Sequence, residues 1–288
     1  MLNYFHAPIR PGEIVINDSN AHHFIDPTID GEEKKCGTVP RPYDTHPIGC
    51  YAPHIKAFDI PLIPWSEVAE RLQERVAKKA QLSDVRMISG PNGGMIPSRD
   101  QDGKGYCWGH SGTSAHLLTR GFMGEPYADL SAFSVCCMIK NFRDEGGWGA
   151  EGVKFQAEKG IAEAKFWPQQ SMSRSNDNPQ TWANAALHKY VEFIELDPQD
   201  PNYLQQIVTC HLSDYAGIFD YNWWSHSVSG ADLVAIDSSG SHQSYKCRIW
   251  NSWADSWSAQ GMGTLEYPKA IPDSALFCRV VRPSPAVS

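Results

Sequence analysis

The sequence predicts an α+β fold. Segments in which apolar residues recur at helical spacing are concentrated between residues 66 and 213, and short apolar runs of strand length occupy residues 216–281. No internal repeat connects the two stretches. Helices first and strands afterwards argue for α+β rather than an alternating parallel sheet. A chain of 288 residues is also long enough to bury a sizeable core without disulfides or metal to staple it.

The elements follow in order. Residues 1–64 carry nine prolines and little periodicity, and read as an extended Pro-rich N-terminal arm. Residues 65–95 form an amphipathic helix and linker: Val68, Leu72 and Val76 share one face, and Glu67/Arg71 and Glu74/Lys78 are spaced opposite charges. Ser66 is positioned as its N-cap. Residues 96–288 make the core. Its predicted helices cover about 107–120, 129–142, 149–159 (closed by Gly160), 181–195 and 201–213. In the fourth, Trp182, Ala186, Tyr190 and Phe193 line one face. Strands are predicted at 216–221, 227–236, 245–250, 262–266 and 275–281.

Composition narrows the function. Lys plus Arg number 25 against 33 Asp plus Glu, a net charge of −8, the wrong balance for a protein that neutralises nucleic-acid phosphates. No apolar run approaches the ~18 residues of a membrane span, and the N-terminus lacks a secretory-signal pattern, so neither membrane nor nucleic acid is an expected partner. A cytoplasmic or virion-associated location is the expectation. The eight cysteines are scattered, unlike a disulfide scaffold, and Cys136, Cys137, Cys210 and Cys247 sit in apolar runs as core thiols. His46, Cys50 and His54, with Cys36 nearby, are metal-ligand types, but Pro47 and Pro53 exclude a helix that would align them. No metal or cofactor is expected.

Three separated segments carry chemistry. Gln101-Asp-Gly-Lys-Gly-Tyr-Cys107-Trp-Gly-His-Ser111 opens a helix, where the positive end of the macrodipole favours a thiolate. Trp223-Trp-Ser-His226-Ser-Val places a histidine before an apolar strand. Arg248-Ile-Trp-Asn251-Ser-Trp253 places an amide after one, between indoles. A thiol nucleophile needs a base, a third group to orient that base, and a donor for the oxyanion. Cys107, His226, Asn251 and Gln101 are of those types.

These segments resemble the papain family of cysteine peptidases: Gln-x5-Cys-Trp, a His before a strand, and Asn-Ser-Trp. His226 and Asn251 follow Cys107 by 119 and 144 residues, against roughly 130–150 in the family signature. Glu145-Gly146-Gly147-Trp148 is similar to the family's glycine pair that binds substrate backbone, and Trp253 and Trp257 match the tryptophans of its Asn loop. The resemblance covers about residues 95–281. It implies a two-lobed fold, with a helical lobe carrying Cys107, a β-rich lobe carrying His226 and Asn251, and the cleft between them. It also implies a cysteine endopeptidase without cofactor, acting on a peptide or protein substrate through a thioester acyl-enzyme. Cys107 is the implied nucleophile, His226 the base, Asn251 its orienting group and Gln101 the oxyanion donor. Gly146, Gly147, Trp148 and Trp253 are the implied substrate-binding residues, and an ion pair with His226 lowers the thiol pKa towards ~3–4.

Two positions depart from the family. Lys104 and Asp144 stand where it has a disulfide, and their opposite charges suggest an ion pair in its place. The arm admits a propeptide reading or a docking role, in which residues 1–64 hold the enzyme to neighbouring subunits of a larger assembly such as a phage particle. The alternatives are a non-catalytic papain-fold assembly protein and a cell-wall peptide amidase or transpeptidase using the same thiol.

Overall fold

The computed structural model of the chain describes residues 4–29 and 31–284. The arm supplies β1 (Tyr4–His6), β2 (Ile14–Ile16), the short hairpin of β3 (Thr28–Ile29) and β4 (Glu32–Glu33), and β5 (Ile55–Ala57). Then come α1 (Trp65–Ala77), α2 (Leu82–Arg86), α3 (Cys107–Phe122), α4 (Phe133–Ile139), α5 (Gly149–Glu158) and α6 (Pro179–Ala185). The remainder is β6 (Tyr190–Leu196), α7 (Tyr203–Leu212), β7 (Ala216–Tyr221), β8 (His226–Asp237), β9 (Lys246–Trp250), β10 (Met262–Glu266) and β11 (Ser274–Val281).

Nine of the strands described form one sheet in the order β2-β10-β9-β8-β7-β11-β6-β5, with β1 also paired to β8, and β3 and β4 pair with each other. The arm therefore closes the sheet at both ends: β2 lies parallel on β10 and β5 parallel on β6. The edges are thereby three-residue strands, which present only short rows of unpaired N–H and C=O groups.

Alternation along the strands sorts the helices onto the two faces. Ala216 and Ile218 of β7 and Leu276 and Cys278 of β11 pack with Leu117 and Leu118 of α3. Phe219, Tyr221, Ala275 and Phe277, one residue out of phase, pack with Val68 and Leu72 of α1 and Ile207 and Val208 of α7. A third cluster gathers Trp108, Phe133, Cys136, Cys137 and Trp167 behind the head of α3. Gly109 lets α4 come that close, since a Cβ there would lie 2.2 Å from Cys136 Sγ.

The helix predicted over 181–195 is two elements. The Asn178 side chain accepts the Thr181 N–H at 3.1 Å and caps α6, which ends at Ala185, and β6 begins at Tyr190. The apolar spacing of residues 182–193 merged a helix and a strand that pack into two different clusters, Ala185 behind the head of α3 and Tyr190 and Phe193 against the sheet. Tyr190 and Phe193 are both buried in the cluster that holds α3, whereas Val191 is 58% exposed; a register shift against β11 at this point lets residues three apart share one face of the strand. The helix predicted at 129–142 is confined to Phe133–Ile139, and α1 starts at Trp65 with Pro64, not Ser66, at its N-cap.

The arm is tied to the core by buried charge. Arg248 Nε donates to Glu13 Oε1 at 3.0 Å, and its Nη1 lies 3.3 Å from Asp232 Oδ2. Arg41 pairs with Glu195, both almost wholly buried. Residues 31–40 cross between these anchors, and their path leads over the start of α3.

Candidate active site

Cys107 is the first residue of α3, His226 the first of β8, and Asn251 follows directly on β9. Antiparallel pairing of β8 with β9 brings the last two together: His226 Nε2 and Asn251 Oδ1 are 2.7 Å apart. Asn251 Oδ1 also accepts the Ser252 N–H at 2.8 Å, which identifies that atom as the oxygen, so Nε2 carries the hydrogen. Nδ1 is then the basic nitrogen, and it has no hydrogen-bond partner among the described residues. Trp253 stacks on the imidazole at 4.7 Å with Trp224 at 4.8 Å, sealing the His226–Asn251 bond from water. Trp253 is fully buried, so it shields the histidine rather than lining an open surface.

Helix α3 and strand β8 are stitched together beside the thiol. Ser111 Oγ, one turn into α3, is 2.7 Å from Ser227 Oγ, and the Ser227 backbone lies near enough to the Cys107 thiol to favour its charged form. Gln101 is buried with its amide fully engaged: Oε1 accepts from Ser252 Oγ at 2.6 Å, and Nε2 donates to the carbonyls of Lys104 and Lys35, each at 2.6 Å. Gln101 is thereby fixed to the asparagine loop on one side and presents its N–H to the cleft on the other.

The glycine pair has two separate steric reasons. A Cβ on Gly146 would lie 2.6 Å from the Gly37 carbonyl oxygen, and one on Gly147 would lie 2.7 Å from the Trp108 ring. Trp148 turns away from Cys107 towards the arm, where its Nε1 donates to the Tyr51 hydroxyl at 3.1 Å and His46 meets its ring edge-on at 5.2 Å.

No family model matches this sequence, and no curated protein matches it. Solved structures do match it. Xylellain, a cysteine protease from Xylella fastidiosa, has a TM-score of 0.54 at 16% identity, over 88% of this chain and 100% of its own. The digestive procathepsin L 3 of Tenebrio molitor larval midgut gives 0.53 at 13%, over 85% and 84%. Procathepsin L2 of the same tissue gives 0.51 at 18%, over 69% and 67%. The fold is that of the papain-like cysteine proteases. At such identities the likeness establishes architecture, and the chemistry rests on the residues above.

In this papain-like fold the cleft is filled by the chain itself. Residues 35–39 run across it as a strap. The Gly147 N–H donates to the Gly37 carbonyl and the Val39 N–H to the Gly147 carbonyl, both at 3.0 Å, which pairs Thr38 with Gly147 in parallel. The Thr38 N–H donates to the Ser225 carbonyl at 2.8 Å, and Thr38 Oγ1 lies 3.4 Å from Cys107 Sγ. Gly37 lies flat on Gly105, and a Cβ there would be 2.3 Å from the Gly105 backbone. The Lys35 carbonyl takes the cleft-facing N–H of Gln101.

Burial under the strap sets the charge state. Desolvation pushes the Cys107 thiol up to about 11, against the smaller opposing effect of Thr38 and backbone contacts at Ser227 and Gly37. Desolvation likewise pulls His226 down to about 4, more than its bond to Asn251 raises it. The low thiol pKa implied by the sequence resemblance is therefore absent in the strapped state, because both groups are dry. At neutral pH the pair is thiol and neutral imidazole.

Asp144 does bridge the site where the family has its disulfide, but not through Lys104. Its Oδ1 accepts the Gly105 N–H and its Oδ2 meets Lys35 Nζ, each at 2.7 Å. Burial raises this carboxyl, and Lys35 and the Gly105 N–H outweigh it, leaving it below the ordinary value. Lys104 acts on it only at longer range. The strap brings an ammonium closer than the turn at Lys104 does. Thr38, Gly37, Lys35 and Ser227 escaped sequence reasoning, Ser252 was read only as part of the Asn-Ser-Trp motif, and the dibasic Lys34-Lys35 step is the sole sequence feature that marks the strap.

Proposed function

We propose that this chain is a cysteine endopeptidase whose site is held closed by its own strap, residues 35–39. The observation that carries this reading is the 2.7 Å bond from His226 Nε2 to Asn251 Oδ1, which leaves Nδ1 as a base beside the strand that touches the thiol. A packing histidine does not require that tautomer together with a buried glutamine aimed at the same cleft.

With the strap displaced, water enters, the desolvation of both groups falls, and the Cys107 proton passes to His226 Nδ1. The thiolate attacks a peptide carbonyl. Gln101 Nε2 and the Cys107 N–H stabilise the oxyanion, and imidazolium protonates the leaving amine. Water, activated by the neutral imidazole, then hydrolyses the thioester. Gly146 and Gly147 would hold substrate backbone where they now hold the strap, with Trp148 at the far wall and Trp253 keeping the histidine dry. The same set could serve amide hydrolysis or transpeptidation of cell-wall peptides. The reading as a virion docking arm gains nothing from residues 4–57, whose β1, β2 and β5 pair with this chain's own sheet.

Gly37→Ala tests the proposal, because its methyl group collides with the Gly105 backbone and the strap loses its seat. Hydrolysis of an unfolded protein substrate rises at least about tenfold over the native chain, since activity scales with the fraction of open molecules. Adding Cys107→Ala or His226→Ala abolishes it. An open G37A protein without hydrolysis contradicts the reading.

A further inference from the structure

The strap also reports what the cleft binds. Lys35 puts its carbonyl on Gln101 Nε2 at 2.6 Å and its ammonium on Asp144 Oδ2 at 2.7 Å. It is thus the strap residue whose carbonyl occupies the oxyanion donor, and its ammonium ends at the wall that carries Gly105 and Asp144. Asp144 is held at that wall by the Gly105 N–H, so its position does not depend on the lysine. Beside it, Lys34 Nζ meets Asp100 Oδ2 at 2.8 Å, with the Lys34 side chain only 4% exposed. Two adjacent lysines therefore meet Asp100 and Asp144, Lys34 also pairing with Glu32 at 2.9 Å, in a chain of net charge −8. When the strap leaves, Asp144 loses its only partner among the ion pairs found in the described residues, Lys104 lying beyond ion-pair distance.

We infer that Asp144 is the specificity determinant of the cleft, and that it selects substrates with lysine or arginine at the residue supplying the scissile carbonyl. The inference rests on the peptidase reading. The strap pairs with Gly147 in parallel, and the inference requires only that a substrate setting its carbonyl at Gln101 brings a lysine stem of four flexible carbons to Asp144. Proximity of a fixed carboxylate to the bound ammonium favours the charged side chain over an uncharged one of equal length. The strap is then a substrate-like sequence seated on the enzyme's own recognition group.

The test uses the full chain carrying G37A and fluorogenic peptides that differ only at that residue: lysine, arginine, norleucine or glutamate. Lysine and arginine exceed norleucine by about tenfold in kcat/KM, and glutamate is the poorest. The lysine-to-norleucine ratio shrinks with added salt as the carboxylate is screened. Asp144→Asn, which keeps an oxygen for the Gly105 N–H, collapses the ratio towards one, and Asp144→Lys inverts the order of lysine and glutamate. Turnover with equal rates for lysine and norleucine, or a lysine preference that survives D144N, overturns the inference alone. No turnover of any peptide by open G37A overturns the peptidase reading, and this inference with it.

Discussion

At the scale of single residues, the site depends on amides as much as on the nucleophile. Gln101 joins three segments: the cleft through Nε2, the asparagine loop through Ser252, and its own turn through Lys104. Gln101→Ala, in the G37A background, lowers kcat by about 10²–10³, the cost of one oxyanion donor. It also leaves the Ser252 hydroxyl unpaired, which costs about 1–3 kcal/mol of stability. Steady-state kinetics with thermal unfolding of the same protein checks both, and an unchanged kcat would remove Gln101 from the oxyanion site. Cys107, His226, Asn251 and Gln101 were legible in the sequence as one candidate set, because each sits in a short motif whose residue types are those that thiol acyl transfer would need. Thr38 was not. It meets Cys107 from 69 positions away, and a contact of that range leaves no local period or spacing behind.

Among the elements, α3 has the most demanding surroundings. It packs on β7, β8 and β11 along one side and admits α4 and α5 on the others, and glycine makes the closest approach possible. Gly109→Ala puts a methyl group 2.2 Å from Cys136 Sγ, so α4 is pushed off the head of the nucleophile helix. Overpacking of this kind destabilises by about 1–3 kcal/mol despite alanine's better helix propensity. Differential scanning calorimetry would show a lowered Tm, and a raised one would mean that propensity wins. The core strands β7 to β11 were legible because they are apolar runs bounded by turns. The stretch now divided into α6 and β6 was not, since residues 182–193 mix two periods over a length too short to separate them. The arm strands β1, β2 and β5 span three residues each, below what alternation can reveal.

Across the whole molecule, buried histidines set the response to acid. Desolvation pulls His110 down to about 3, His211 and His226 to about 4, and His116 and His188 below their ordinary value of 6.5. Between pH 6.5 and about 4 the unfolded chain therefore takes up protons that the folded chain refuses, and stability falls as pH falls through that window. Asp220 works in the opposite sense, its carboxyl being raised to about 6 by burial, but it is one group against five. Tm is expected to drop steadily from pH 7 to pH 4.5, and His116→Phe, at a site that already packs edge-on against Tyr190, flattens that slope. A Tm independent of pH over this range would show that these histidines are not dry. The same dryness keeps the thiol neutral, so the strap that fills the cleft and the charge state beneath it are one effect seen at two scales.

The most direct measurement is the rate at which a limiting alkylator modifies Cys107 at pH 6, mapped by peptide mass against the seven other cysteines. In the native chain Cys107 is expected to lag behind the exposed Cys50, because its thiol is raised and covered by Thr38. In G37A it is expected to overtake Cys50 and every other thiol, and to lose that advantage on His226→Ala. A Cys107 that stays slow in G37A with the strap displaced, or that stays fast without His226, would contradict the account.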